Sequence, residues 1–531
     1  MELNPRVKYN RLFVHWISII TIVILLLAVF SNLTANTGNI EIFFCSDTLY
    51  LPSLYRDLFI DKNSISGWEL NPAPNYFPDM LVYFLLMFIT NDFIIASFVF
   101  SIVQYVILGF LFTKILRVIF PSASAYYNML IYALLSFFIL EFFFFTKDFY
   151  YIFLILVNSY HTGAFVMMLL CTYLTFQYIQ DRKLFRLLLI FCIGFLMMLS
   201  DKLFLVLYVA PVCFTMACMF KKTGLRPALY LISTCALFVY SGNEAFNSID
   251  KEHYNLLGTP GNEPSVDKML QQFGTFLDQM KFYLGSYGIR SVILCLFVVS
   301  FTLMVYVFIH SLRKAVKGLV PVYALFSISF SLGVLCAPMI AGKYEGWDCI
   351  RYNAYPFYFT VLNVAVFFGY SIKSDALSKF GRYGLLSFTL LLLGIGVWQL
   401  KPAGLKAYFN YCPANARLVD ELADRENLKF GVGNYWEAKE ITMFSKKGVK
   451  VYAVFDDIAL YLHVANDAWF FDNMFNFVVL NDFKDTTLYR TKLKDIRYVT
   501  NTPQLKLVKT RPFFYNRIIG GTAINTEIKE K

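Results

Sequence analysis

Apolar residues fill most of the first 400 positions in long blocks, separated by short polar or basic stretches. The first block, LFVHWISIITIVILLLAVF from Leu12, follows Arg6, Lys8 and Arg11. At 1.5 Å per residue it is long enough to cross roughly 30 Å of hydrocarbon. A cleaved signal peptide would carry an apolar core of only about 7 to 15 residues, so this block is expected to remain as a first span. Further blocks lie at about 92–113, 124–145, 149–179, 184–200, 203–219, 227–241, 291–309, 319–340, 354–371 and 383–400. With the first they make eleven, which would put the two chain ends on opposite sides of a membrane. The 149–179 block is expected to break near NSYHTG, Asn158 to Gly163, so the total is about 11–13 spanning helices. One apolar stretch, FPDMLVYFLLMFIT from Phe77 to Thr90, is too short to span. It reads as an interfacial or re-entrant helix that packs on protein.

Beyond Leu400 the pattern changes. The last 131 residues alternate strand and helix signals and read as a soluble α/β domain. ANARLVDELADRENL has helical spacing, KFGVG, VKVYAVF and FNFVVLND read as strands, and NYWEAKEITMF is a helix between the first two of those strands. Strand, helix, strand in that order predicts a parallel crossover. Gly431 and Gly433 form a lone GxG at a strand-to-helix turn, where ordinary turn glycines are the better reading. The fold class is therefore an α-helical polytopic membrane protein (residues 1–400) with a C-terminal soluble α/β domain (residues 401–531).

Composition supports the membrane reading: the chain is 58% hydrophobic, 19% aromatic and only 16% charged. A formal net charge of +11 could suggest nucleic acid, but the basic residues cluster between apolar blocks. They sit at the N-terminus, Lys114/Arg117, Arg182/Lys183/Arg186, Lys221/Lys222/Arg226, Arg313/Lys314/Lys317 and Lys373/Lys379/Arg382, on every loop that the block order makes cytoplasmic. The loops of the opposite side are balanced or acidic, as in residues 32–91. This distribution predicts a cytoplasmic N-terminus and an outer C-terminal domain, and it leaves no case for nucleic acid. The ten cysteines are scattered without a CxxC, so no metal site is signalled; a disulfide between two of Cys45, Cys349 and Cys412 is open if they share an oxidising compartment, with no pairing set by the sequence.

Charged residues pressed between apolar runs need a reason. On the expected outer side these are Asp47, Asp79, Asp148 and Asp201, with Lys147, Lys202, Lys343 and Arg351 as basic neighbours. Asp47 opens CSDTLYLPSLYRDLF, where it reads either as a reactive carboxylate or as the N-cap of a short amphipathic helix. Asp79 also fits the first turn of its helix, Asp148 with Lys147 a solvated pair, and Asp201-Lys202 a hairpin turn. His161 reads equally as a satisfied polar residue within a bundle, and Arg351 as an interfacial anchor.

The order of these features resembles the GT-C class of membrane glycosyltransferases, which includes protein O-mannosyltransferases, lipid A aminoarabinose transferases and oligosaccharyltransferases. The likeness rests on Ser46-Asp47 after the first span, PDMLVYFLL in a Pro- and Tyr-rich context, Arg351-Tyr352 before a late span, and an outer C-terminal domain. The chain departs from the mannosyltransferase Asp-Glu pair, having Asp47-Thr48. The resemblance implies inverting transfer of a sugar from a polyprenyl-phosphate donor to a lipid, glycan or protein acceptor, in a bacterial inner membrane. It implies Asp47 as catalytic base, Asp79, Asp148 and His161 toward the acceptor, and Arg351, Lys343 and Lys202 toward the donor phosphate. No cofactor is implied with certainty; Asp47 and Asp148 could hold a divalent cation, but no HxH or DxD pattern supports one. Alternative readings are a flippase or transporter, and an O-antigen-type polymerase, for lipid-linked sugars. Transporters tend to show paired halves with midplane polar sites, which this sequence lacks.

Overall fold

A computed structural model describes residues 5–34, 37–121, 125–140, 154–249, 265–285, 289–371, 379–481, 483–485, 487–518 and 525–530. All eleven apolar blocks carry helices. Among the described residues, seven helices are long and apolar enough to cross a membrane: Leu12–Leu33, Phe93–Ile119, Thr162–Asp181, Leu205–Thr223, Ser291–Arg313, Val320–Ile340 and Gly381–Gln399. Ala125–Leu140 and Leu184–Ser200 are apolar but shorter, and Leu225–Ser248 and Tyr355–Ser371 complete the set. The protein is a polytopic helical membrane protein with a C-terminal α/β region.

Local chemistry fixes several helix ends. Asp92 caps Phe93–Ile119, its Oδ1 accepting the Ile94 and Ile95 N–H groups at 2.8 and 3.0 Å. The expected break at NSYHTG is present: Ser159 and His161 have φ of 67° and 61°, and the next helix starts at Thr162. The stretch Tyr76–Thr90 is helical but short, with Tyr83 and Met87 buried and Leu81, Leu85, Phe88 and Ile89 exposed. One face thus packs on protein, as expected, while the other is an open apolar stripe of the kind that suits a membrane interface.

The stretch 242–290, between the 227–241 and 291–309 apolar blocks, is partly helical. Leu225–Ser248 extends into it, and Val266–Gly285 forms a second helix. That helix turns Gln272, Gln279 and Tyr283 toward the protein and leaves Val266, Leu270, Leu277 and Leu284 exposed along one stripe. Gln279 Nε2 donates to the Trp347 carbonyl at 2.8 Å, and the Gln272 carbonyl accepts the Tyr344 N–H at 3.0 Å. The segment ahead of Arg351 is thereby pinned.

The C-terminal sheet contains β2 (Phe430–Gly433), β3 (Lys450–Ala453), β5 (Phe475–Val479), β6 (Arg497–Asn501), β7 (Lys506–Ile518) and β8 (Asn525–Glu530). Its order is β3-β2-β5-β7-β6, with β8 also on β7. β2 is parallel to β3 and β5, and the helix Tyr435–Phe444 makes the expected crossover; the later strands add antiparallel. Two short strands, β1 (Trp68–Glu69) and β4 (Ala465–Asn466), pair antiparallel and join the first loop to this region. Tyr50, Leu54, Trp68 and Tyr83 share one buried cluster with Tyr452, Trp469 and Phe475. The first loop and the C-terminal sheet are one packed body.

Candidate functional site

Asp47 does not cap a helix. The helix it precedes, Tyr50–Tyr55, has Leu49 at its N-cap with no side-chain hydrogen bond. Instead the half-buried Asp47 carboxylate accepts two phenol hydroxyls, Tyr435 at 2.7 Å on Oδ1 and Tyr160 at 3.2 Å on Oδ2. An ionised carboxylate has about four acceptor positions, so these two donors, all it has among the described residues, leave capacity for another ligand. That capacity meets a cleft of about 810 Å³ which Asp47 and Arg351 line together with Tyr435, Trp436, Tyr461 and His463. The cleft opens at the carboxyl ends of β2 and β3, through Asn434–Trp436 and Val454–Asp457, where loops of open α/β sheets commonly bind ligands.

The helix Tyr435–Phe444 clamps the neighbouring residues. Ser46 Oγ donates to the Tyr435 carbonyl at 2.5 Å, and Lys439 Nζ donates to the Ser46 carbonyl at 3.5 Å. Lys439 is only 5% exposed, and its ammonium lies 5.0 Å from the Tyr435 ring centre. Burial pushes its pKa down to about 7, against the pull of the Asp47 carboxylate. His463 is lowered too, by burial first and then by the Lys439 charge.

Tyr160 connects this centre to a second cluster. The Tyr355 hydroxyl donates to the Tyr160 carbonyl at 2.6 Å, and the next residue, His161, pairs with Asp201 at 2.7 Å through Nδ1. Burial disfavours charge on His161, but the Asp201 carboxylate outweighs it and holds the imidazole above its ordinary pKa. Asp79 is 3% exposed, with Oδ1 unpartnered among the described residues. Burial, then the Asp201 charge, raise it to about 7 against the opposing His161 and Gly163 N–H. A side chain at Gly163 would collide with Asp79, so glycine keeps the two segments in contact. Tyr352 lies 5.9 Å from the His161 ring and accepts from Arg351 Nη2 at 3.3 Å. Arg351 in turn is in electrostatic contact with Tyr160 and Asp47.

The structure thus brings Asp47, Arg351, His161, Asp79 and Asp201 into one neighbourhood, with corrections. Lys202 is not part of it: the Asp201 carboxylate turns inward to His161 while Lys202 turns out, donating to Asn243 at 3.2 Å and lying 4.3 Å over the Phe246 ring. Among the described residues neither Asp79 nor His161 lines the cleft; with Asp201 they form a second cluster, next to Arg351 through His161. Lys343 is exposed on the turn after Val320–Ile340, in the same segment as Arg351. Asp148 and Lys147 lie outside the described residues. Cys45, Cys349 and Cys412 are free thiols, and no metal-holding cluster is present among the described residues. Sequence reasoning missed Tyr160, Tyr435, Lys439, Tyr461 and His463; the NYW run directly after the GVG strand was the available signal for Tyr435. No protein-family model matches the chain, and no curated protein matches it significantly.

Proposed function

We propose that the protein is an inverting glycosyltransferase of the GT-C type, using a polyprenyl-phosphate-linked sugar and a lipid, glycan or protein acceptor. The observation that carries this reading is the pairing of an under-saturated carboxylate, Asp47, with a guanidinium, Arg351, on one open cleft. In the proposed reaction the acceptor hydroxyl gives its proton to Asp47 as its oxygen attacks the anomeric carbon. The bond from that carbon to the phosphate oxygen breaks, and its electron pair leaves with the lipid phosphate. Arg351 stabilises the charge that grows there. Tyr160 and Tyr435 orient Asp47, and the Asp201–His161 pair supports the Arg351-Tyr352 segment.

The chain would sit in a bacterial inner membrane, N-terminus cytoplasmic and C-terminal domain outside. Positive charge on six successive loops supports that orientation. So does the meeting of the first loop, the Asn158–Gly163 turn, the Asp201 turn, the Arg351 segment and the C-terminal sheet, all of which the charge pattern assigns to one side.

The test is consumption of radiolabelled polyprenyl-phosphate sugars by membranes containing wild-type chain or Asp47→Asn at matched expression. Consumption by wild type and a loss of about a hundredfold or more in the variant uphold the reading. Equal consumption removes Asp47 as base, and no consumption across several donors moves a flippase to the front.

A further inference from the structure

One wall of the cleft is built differently from the others. From Tyr435, which holds Asp47, a ladder of rings runs outward along the C-terminal domain. Tyr435 lies 5.1 Å from Trp436 and 5.3 Å from Tyr461, and Tyr461 lies 4.9 Å from Phe455. The outer rings are open: Trp436 is 53% and Phe455 52% exposed, although large aromatic faces are costly to leave in water. Polar groups alternate with them. Next to Phe455, the Asp456 carboxylate accepts the Lys484 and Asp485 N–H groups through Oδ2, at 3.0 and 2.9 Å; among the described residues Oδ1 remains for a ligand. His463 lies 5.9 Å from Tyr461.

We infer that the acceptor is a saccharide, seated on the Trp436 and Phe455 rings with a hydroxyl directed to Asp47; this rests on the glycosyltransferase reading. A sugar ring has an apolar C–H face and a polar rim, which suits exposed rings interleaved with a carboxylate and an imidazole. A lipid tail would require a continuous apolar wall. An extended peptide would seek a free strand edge, whereas the cleft opens at strand ends. The hydroxyl that attacks belongs to this saccharide, its proton passes to Asp47, and the new glycosidic bond replaces the sugar–phosphate bond of the donor.

The test applies purified full-length protein to an array of defined neutral and acidic oligosaccharides, without donor. Retention on a subset of glycans is expected, weakened about tenfold by Trp436→Ala or Phe455→Ala, the scale of one lost aromatic contact. Both side chains are half-exposed, so unchanged melting temperatures should confirm that the variants fold. Asp47→Asn should bind the same glycans but not glycosylate them. A blank array, or retention that ignores both ring substitutions, overturns the inference. If wild type consumes donor while the array stays blank, the transferase reading stands and the saccharide acceptor falls. If glycans bind but none is modified in the presence of donors, the acceptor role falls together with the transferase reading.

Discussion

Asp47 and Asp57 stand ten residues apart in the same loop, and their surroundings are opposites. Asp57 is 1% exposed and accepts four N–H donors: Asn63 and Trp469 on Oδ1, at 2.7 and 2.6 Å, and Trp68 and Asn466 on Oδ2, at 2.6 and 2.8 Å. Every acceptor position is used. Among the described residues Asp47 has two phenol donors, and it lines the cleft. A saturated carboxylate locks structure, whereas one with unused acceptor capacity beside a cleft can receive a proton.

Four changes would break or sharpen this contrast. The largest effects fall on the carboxylates themselves. Asp47→Asn should lower sugar transfer by about 10²–10⁴-fold, the range for a general base, and leave the melting temperature unchanged. Asp57→Ala should do the reverse in kind, costing roughly 3–5 kcal/mol of stability because four buried donors lose their partner, with the midpoint of thermal unfolding as the readout. Equal loss of transfer at full stability in both variants would erase the distinction.

A pH effect comes next. The unfolded chain keeps the Lys439 proton up to its ordinary value near 10.5, but the folded chain releases it near 7. Unfolding therefore takes up a proton between these values, so this residue's penalty is full below pH 7 and stability rises from about pH 7 to about 10. Asp79 has the opposite sign in a lower window, its folded value near 7 lying above the usual 3.8, so its contribution to stability falls as pH rises from about 4 to 7. Melting profiles in which Lys439→Met does not flatten the upper slope would contradict this assignment. The smallest effect belongs to Tyr435→Phe, which removes one donor to Asp47 and should slow transfer about tenfold.

Much of the architecture was legible in the sequence. Span-length apolar blocks, the NSYHTG break and the strand–helix–strand start of the C-terminal domain depend on local pattern and turn chemistry, and they appear where that pattern puts them. β7 was not legible, because Pro512 interrupts it; the proline sits just before Phe513, where β7 begins to pair with β8. Asp47 and Arg351 could be singled out as charges among apolar residues. Their partners could not: Tyr435 reaches Asp47 from 388 positions away, a separation that no window reveals. Lys202 misled because two neighbours in a tight turn point opposite ways.

The strand pair β1–β4 sets an order of events during synthesis. Asp57 and its loop leave the ribosome early, but Asn466, which completes both the strand pair and the carboxylate's set of donors, lies 409 residues further along the chain. Tyr435 and Lys439, which position Asp47, are also latecomers. A nascent chain that has threaded all its helices still holds an unfinished first loop. A nonsense mutation between Asp47 and Tyr435 should therefore yield a product that carries Asp47 without Tyr435 and Lys439 to position it.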